Sequence, residues 1–373
     1  MIKFSGSSDY KTNDPVPDKQ RIIVVGPSWY GNWVDYFYEA LISVGADARV
    51  IYTNTLFGGN AGYGSEAKMR SLEKFKRAVL KLSPRFFEFL KGIRKSISEK
   101  DLLRQLKEME GGKRTIVVFI WTPPSVGLLK KLKRFRNTKL VYWIGEPLSR
   151  DRRWRTTLDY FDHIFLIDSP EWSGGLDDKY VQRSSLLPLS STPKVFYPIE
   201  NKDERYSCDV AFVGLYKKQR AEMIGPVKNY KFRIYGFGWE GSEKELEWLS
   251  GKLMGPAKLE DLNKIFNGAK ICIGSLGIAF EGDLPTLTQR VFDIALAEGF
   301  QLSQWSPLTE KVFGDAVPLF RSTDELRELL EYYIDRPSER SMLAKKSREI
   351  ALQNTWEDRA REALKIFENR LTA

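Results

Sequence analysis

The chain has 373 residues, too many for one ordinary core and a suitable number for two domains of common size. Hydrophobic residues at 42% and charged residues at 29% describe a globular protein, and no apolar run approaches the roughly eighteen residues that a bilayer span needs. The net charge of +10 is unevenly placed: between Glu66 and Asp159, 25 Lys/Arg stand against 10 Asp/Glu, which leaves the rest of the chain slightly acidic.

Residues 1–20 are polar, carry Pro15 and Pro17, lack the apolar stretch of a secretory signal and read as a flexible tail. RIIVVGPSWYG is a buried strand running into a Gly/Pro loop, and WVDYFYEALISVG is an amphipathic helix stopped by Gly45. ARVIYTN is a second strand, and a charged helical region over about 65–110 follows it, divided at Pro84. TIVVFIWTPP, KLVYWIGEP and HIFLIDSP are three further short strands, each ending at a proline or turn cluster. Such strand–helix alternation predicts a parallel sheet covered on both faces.

LPLSSTPKVFYPIENKDERYS reads as a linker, after which the pattern restarts. DVAFVGLY, FRIYGFGW, AKICIGS and AVPLF read as strands, and VFDIALAEG reads as a helix. STDELRELLEYYI opens with a capping box at Ser322 and Glu325, and two helices complete the chain, the last starting near Thr355. The predicted fold class is α/β, with two Rossmann-like domains facing a cleft. The N-terminal domain covers 21–195 and the C-terminal one 196–352, and the helix of 353–373 packs back on the first. Cys208 and Cys272 lie in strand-like runs and read as buried free thiols of a reducing, cytoplasmic protein.

Ligands of open parallel sheets sit at the carboxyl ends of the strands, so the candidate residues are sought there. Gly214 ends a strand, with Lys217, Lys218 and Arg220 in the next turn; the glycine lets a phosphate approach the backbone and the cations neutralise it. Basic residues after a strand also occur without any such role. Gly236 and Gly238 repeat the arrangement, and the Trp239 indole either walls a nucleotide or plugs the core. A glycine-rich loop from Gly274 through Ser275 to Gln289 leads into a helix opening with Arg290 and Asp293. Arg290 suits a diphosphate and Asp293 two vicinal ribose hydroxyls; the alternative is a capping Asp with a solvent-facing Arg. In the N-terminal half Trp29, Tyr30 and Trp121 close strands as acceptor contacts. Glu146 and Asp168 do so as candidate general bases, or as turn-formers before Pro147 and Pro170. The single histidine, His163, starts its strand, which rules out a Ser–His–Asp triad or a His-rich metal site, and Asp177–Asp178 reads as surface.

From about Leu187 onward, LPLSSTPKVFYPI, DVAFVGLYKKQR, RIYGFGW, RVFDIALAEGFQLSQW, VPLFRSTDELRELLEYYIDRPSERSMLA and TWEDRAREAL resemble, in order and spacing, the CgeB-like branch of the group 1 glycosyltransferases. That family has the GT-B fold. The resemblance implies a nucleotide-diphosphate sugar of UDP type as co-substrate in the C-terminal half, no other cofactor, and catalysis without a bound metal. Relatives carry Glu where this chain has Asp293, and many have a second Glu where it has Pro285, with Glu281 and Asp283 nearby. This departure keeps open a non-catalytic nucleotide-sugar-binding protein of the same fold. The basic N-terminal half further suggests an anionic acceptor or a peripheral membrane contact. It also leaves open a nucleic-acid-modifying glycosyltransferase, for which no recognised motif is present.

Overall fold

The computed structural model describes residues 20–27, 33–53, 99–109, 113–121, 123–145, 155–168, 176–242, 246–276 and 286–371. Two wholly parallel sheets organise them. The first contains β1 (Gln20–Gly26), β2 (Asp47–Tyr52), β3 (Arg114–Ile120), β4 (Thr138–Ile144), β5 (His163–Leu166) and β6 (Ser184–Leu186), in the order β2-β1-β3-β4-β5-β6. The second contains β7 (Cys208–Val213), β8 (Phe232–Tyr235), β9 (Ala269–Ile273), β10 (Gln301–Gln304) and β11 (Leu319–Phe320), in the order β11-β10-β9-β7-β8. The unbroken apolar runs of β1, β3 and β4 follow from this arrangement, because a parallel strand is covered on both faces and has no polar side to alternate with. Two strands escape the sequence reading: β6 is three residues long, and β10, QLSQ, is polar at three of its four positions yet almost wholly buried.

Each sheet carries one core per face. In the first unit, helix Trp33–Ser43 and the last helix, Trp356–Leu371, cover one side, with Trp143, Phe165, Trp356 and Phe367 at the centre. Helical residues 99–109 and helix Val126–Leu132 cover the other. The last helix therefore packs into the same core as β1. The segment read as a linker is docked: Phe196 is 1% exposed, and the Asn263 and Asn267 side-chain carbonyls accept the Tyr197 and Ile199 N–H groups at 3.1 and 2.8 Å. The expected capping box is half formed. Ser322 Oγ accepts the Glu325 N–H, but the Glu325 carboxylate accepts from Arg321 N instead of Ser322 N.

Candidate functional site

In each sheet the strand order reverses once, between β1 and β3 and between β7 and β9, and each reversal opens a crevice at the strand carboxyl ends. The second crevice collects the candidate donor residues. Gly214 follows β7, and its carbonyl accepts the Trp239 Nε1–H at 2.9 Å. Gly236, at φ +156°, lies so close that a Cβ there would stand 1.9 Å from the Gly214 oxygen. Only glycine allows the two loops this approach. Gly238, also at positive φ, turns the chain toward Trp239, whose ring is 2% exposed and meets Phe212 and Tyr216 edge-on. The indole is packed beneath the loops, as the core reading of Trp239 expects. Arg220 is also engaged with the protein, its guanidinium donating to the Leu276 and Leu215 carbonyls at 3.0 Å each. It fastens the Gly214 loop to the Gly274 loop. Lys218 is exposed at the first residue of a short helix.

Gly274 and Ser275 continue β9 at the same crevice. Ser275 N donates to Ser303 Oγ at 2.8 Å, and a Cβ on Gly274 would stand 2.5 Å from Gln301 Oε1. Gln301 Nε2 in turn donates to the Val291 carbonyl in helix Gln289–Leu296. Gln301 and Ser303, which join this loop to that helix, were invisible in sequence because β10 was not recognised as a strand. Within the helix, Arg290 Nη1 pairs with Asp293 Oδ2 at 3.1 Å, and the guanidinium stands over the Phe266 ring at 5.2 Å. Arg290 Nε and the N-cap hydroxyl of Thr288 are buried without a hydrogen-bond partner. Arg290 is thus partly exposed, with its Nε buried and one Nη engaged by Asp293.

Asp293 is 3% exposed, and burial raises its carboxyl to about 6, against the opposing pull of Arg290, Ser191 and Gln289. With the folded value above the ordinary one, folding favours the neutral form. The charge costs stability as pH rises from about 4 to about 6, and that cost is complete above it. A ribose hydroxyl is better accepted by the charged form. If Asp293 holds ribose hydroxyls, as the sequence suggests, a nucleotide sugar, whose diphosphate does not titrate in this range, should bind progressively tighter from pH 5 to pH 7. Asp293→Asn should flatten that profile, and calorimetry across the range would contradict the assignment if the two proteins gave parallel curves.

The first unit reaches the same helix. Tyr36 stacks on Trp356, with centroids 6.3 Å apart, its hydroxyl is buried without a partner, and its proton is held more tightly by burial and by the Asp293 charge. Ser191, beside Asp293, passes its carbonyl to the Trp356 N–H. Neither Tyr36 nor Ser191 carried a sequence signal. At the first crevice Trp121 follows β3 at φ +75°, edge-on to Trp33 at 5.2 Å. Asp168, two residues beyond β5, is 5% exposed. Trp29, Tyr30 and Glu146 lie outside the described residues, as do Glu281, Asp283 and Pro285. His163 begins β5 at the far end from the crevice, buried to 1%, and desolvation lowers it to about 4. Asp177 precedes the short helix Asp178–Val181. Among the described residues no three His, Cys, Asp or Glu side chains come together as a metal-ligand set.

Residues 218–365, most of them in the second unit, match the family described as glycosyl transferase-like. Among curated proteins there is no match. Solved structures of similar fold include the sucrose-phosphate synthase of Thermosynechococcus elongatus, at 12% identity and a TM-score of 0.62 over 94% of this chain and 99% of that one. Anabaena HepE in complex with UDP-glucose aligns at 10% identity and a TM-score of 0.63 over the same shares. The trehalose-phosphate synthase (UDP-forming) of Burkholderia xenovorans aligns at 12% and 0.60 over 92% of this chain and 100% of that one. At these identities the likeness establishes the fold: two Rossmann-like units of GT-B type.

Proposed function

We propose that the chain is a glycosyltransferase of the CgeB-like branch that moves a sugar from a UDP-type nucleotide sugar to an acceptor hydroxyl. One observation carries this reading: a partly exposed Arg290 paired with the buried Asp293 opens a helix beside the Gly214 and Gly274 loops, inside the segment that matches the glycosyl transferase-like family. Arg290, freed from Asp293, neutralises the diphosphate as it leaves with the glycosidic electron pair, and Asp293 holds the ribose. The acceptor binds the first unit, where Asp168 takes the hydroxyl proton. No cofactor or metal takes part, since Arg290 and the loop N–H groups supply the positive charge that a cation would otherwise provide. Incubation with UDP-glucose, UDP-galactose and UDP-N-acetylglucosamine tests the reading. Slow donor hydrolysis that EDTA leaves intact is the expected result; binding without any turnover would favour a non-catalytic protein, and rescue of activity by Mn²⁺ would refute metal independence.

The acceptor or the surface that bears it is anionic. Lys130, Lys131 and Arg134, in and just after helix Val126–Leu132, are exposed and form no ion pair among the described residues, whereas Lys133 is paired with Asp162 at 2.8 Å. No helix among the described residues is long and apolar enough to cross a membrane, so any membrane contact there is peripheral. Each cation near an anionic leaflet contributes about 1 kcal/mol. Reversing these three to Glu should reduce sedimentation with phosphatidylglycerol vesicles and leave UDP-glucose affinity unchanged. If vesicle and acceptor binding both persisted, these cations would be only a solvated face.

A further inference from the structure

Two buried hydroxyls meet one buried carboxylate where the first unit and the linker reach helix Gln289–Leu296. The Asp293 carboxyl is 3% exposed and has one close partner, Arg290 Nη1 at 3.1 Å; Gln289 Nε2 stands off at 3.5 Å. From the first unit Tyr36 faces it, with a hydroxyl near enough to feel the charges of both Asp293 and Arg290 that nonetheless has no hydrogen-bond partner. From the linker comes Ser191, wholly buried, whose hydroxyl lies beside the carboxyl without the geometry of a hydrogen bond to it or to any other group. Neither residue is loosely held. Tyr36 stacks on Trp356, the Trp356 N–H donates to the Ser191 carbonyl at 3.1 Å, and Ser191 forms an isolated parallel bridge with Thr355. A buried hydroxyl without a partner costs stability, and Phe or Ala would fill these positions without that cost. The two hydroxyls are thus donors that the free protein leaves unused beside a carboxylate.

Donor binding calls on them. When Arg290 turns to a diphosphate, it leaves Asp293 as a buried charge without compensation, which is strongly unfavourable. We propose that Tyr36 and Ser191 are positioning residues for the donor site, whose hydroxyls replace Arg290 on Asp293 when the guanidinium engages the diphosphate. This rests on the glycosyltransferase reading, and it adds that the first unit and the linker set the affinity of a site built in the second unit. The exchange breaks no covalent bond and moves no net proton: one ion pair gives way to two charge-assisted O–H···O bonds. The other groups near the carboxyl are already committed. Among the described residues Arg290 is the one cation acting on it, while Glu39 and Asp35 of helix Trp33–Ser43 act on Tyr36. Arg348 of helix Pro337–Leu352 donates to the Leu296 carbonyl at the far end of helix Gln289–Leu296. From β10, Gln301 donates to the Val291 carbonyl, and helix Leu259–Gly268 presents the Phe266 ring to Arg290.

The test uses the full chain, with calorimetry for UDP-glucose and an NMR titration for uridine, which brings the ribose without a diphosphate. Tyr36→Phe and Ser191→Ala are each expected to weaken UDP-glucose binding at pH 7 by roughly tenfold, the low end for loss of a hydrogen bond to a charged group. Ser191→Thr keeps the hydroxyl and should restore the affinity. Uridine should bind as it does to wild type, because nothing draws Arg290 away. Free Tyr36→Phe should melt at or above wild type, since it loses only an unpartnered buried hydroxyl. The pH profile is a readout that altered packing would not move. A carboxylate deprived of donors keeps its proton to higher pH, so the midpoint of UDP-glucose binding shifts upward in both variants. Tyr36→Phe preserves the packing and decides the question alone if Ser191→Ala does not fold. The proposal is overturned if Tyr36→Phe binds UDP-glucose as wild type does, or if UDP-glucose and uridine weaken equally with an unshifted profile. A wild-type chain that binds no UDP-sugar would instead overturn the glycosyltransferase reading itself.

Discussion

Arg290→Ala is expected to lower kcat/KM for UDP-sugar turnover by about 2–4 kcal/mol of transition-state stabilisation, roughly 30- to 1,000-fold. The first reason is the direct loss of a charge-assisted contact to the leaving diphosphate. The second comes from its partner: Arg290 is the first of the groups that hold down a carboxyl already raised to about 6 by burial. Without it the Asp293 carboxyl is pushed further up and is a poorer acceptor for ribose hydroxyls, so one substitution weakens both contacts. Fold stability should change less than activity, because a protonated Asp293 avoids leaving an uncompensated buried charge. Arg290→Lys keeps the charge but not the fork that reaches both diphosphate and carboxylate, and should recover only part of the loss. Calorimetry with UDP-glucose at pH 7 decides the matter; a folded Arg290→Ala protein with wild-type affinity would remove Arg290 from the site.

Trp239→Ala should be the most destabilising of the substitutions considered, costing about 3–5 kcal/mol, as removal of a fully buried aromatic ring does. Trp239→Phe separates packing from hydrogen bonding. Phenylalanine keeps most of the contact with Phe212 and Tyr216 but leaves the Gly214 carbonyl without the indole N–H, a loss of about 1–3 kcal/mol. Because that carbonyl faces Gly236 across a gap with no room for a methyl group, movement there disturbs both loops. The Phe variant should therefore melt a few degrees lower and bind UDP-glucose more weakly while its circular dichroism stays native. Normal nucleotide affinity in a destabilised Trp239→Phe protein would show that the indole supports the core alone.

The sequence by itself determined the two sheets and most of their strands. Runs such as RIIVVG and TIVVFI have no polar alternation, and only strands buried on both faces tolerate that composition. The glycines at strand ends and the place of Arg290 and Asp293 at the start of one helix were legible too, whereas the ion pair between them came only with the structure. Tertiary structure decided the rest. Whether Trp239 packs into the core depends on which side of Gly214 the returning loop lies, and the reach of Arg220 to the Leu276 carbonyl, 56 residues on, follows from how two loops pack. β10 is polar by composition and strand by circumstance: Gln301 and Ser303 are buried because the Gly274 loop and helix Gln289–Leu296 give their polar atoms partners. Tyr36 and Ser191 stand far from Asp293 along the chain, and only the meeting of the two units, with the last helix returning to the first core, brings them to one carboxylate. Local periodicity records which face of an element is buried; which residues of distant elements share a site is set by packing between them.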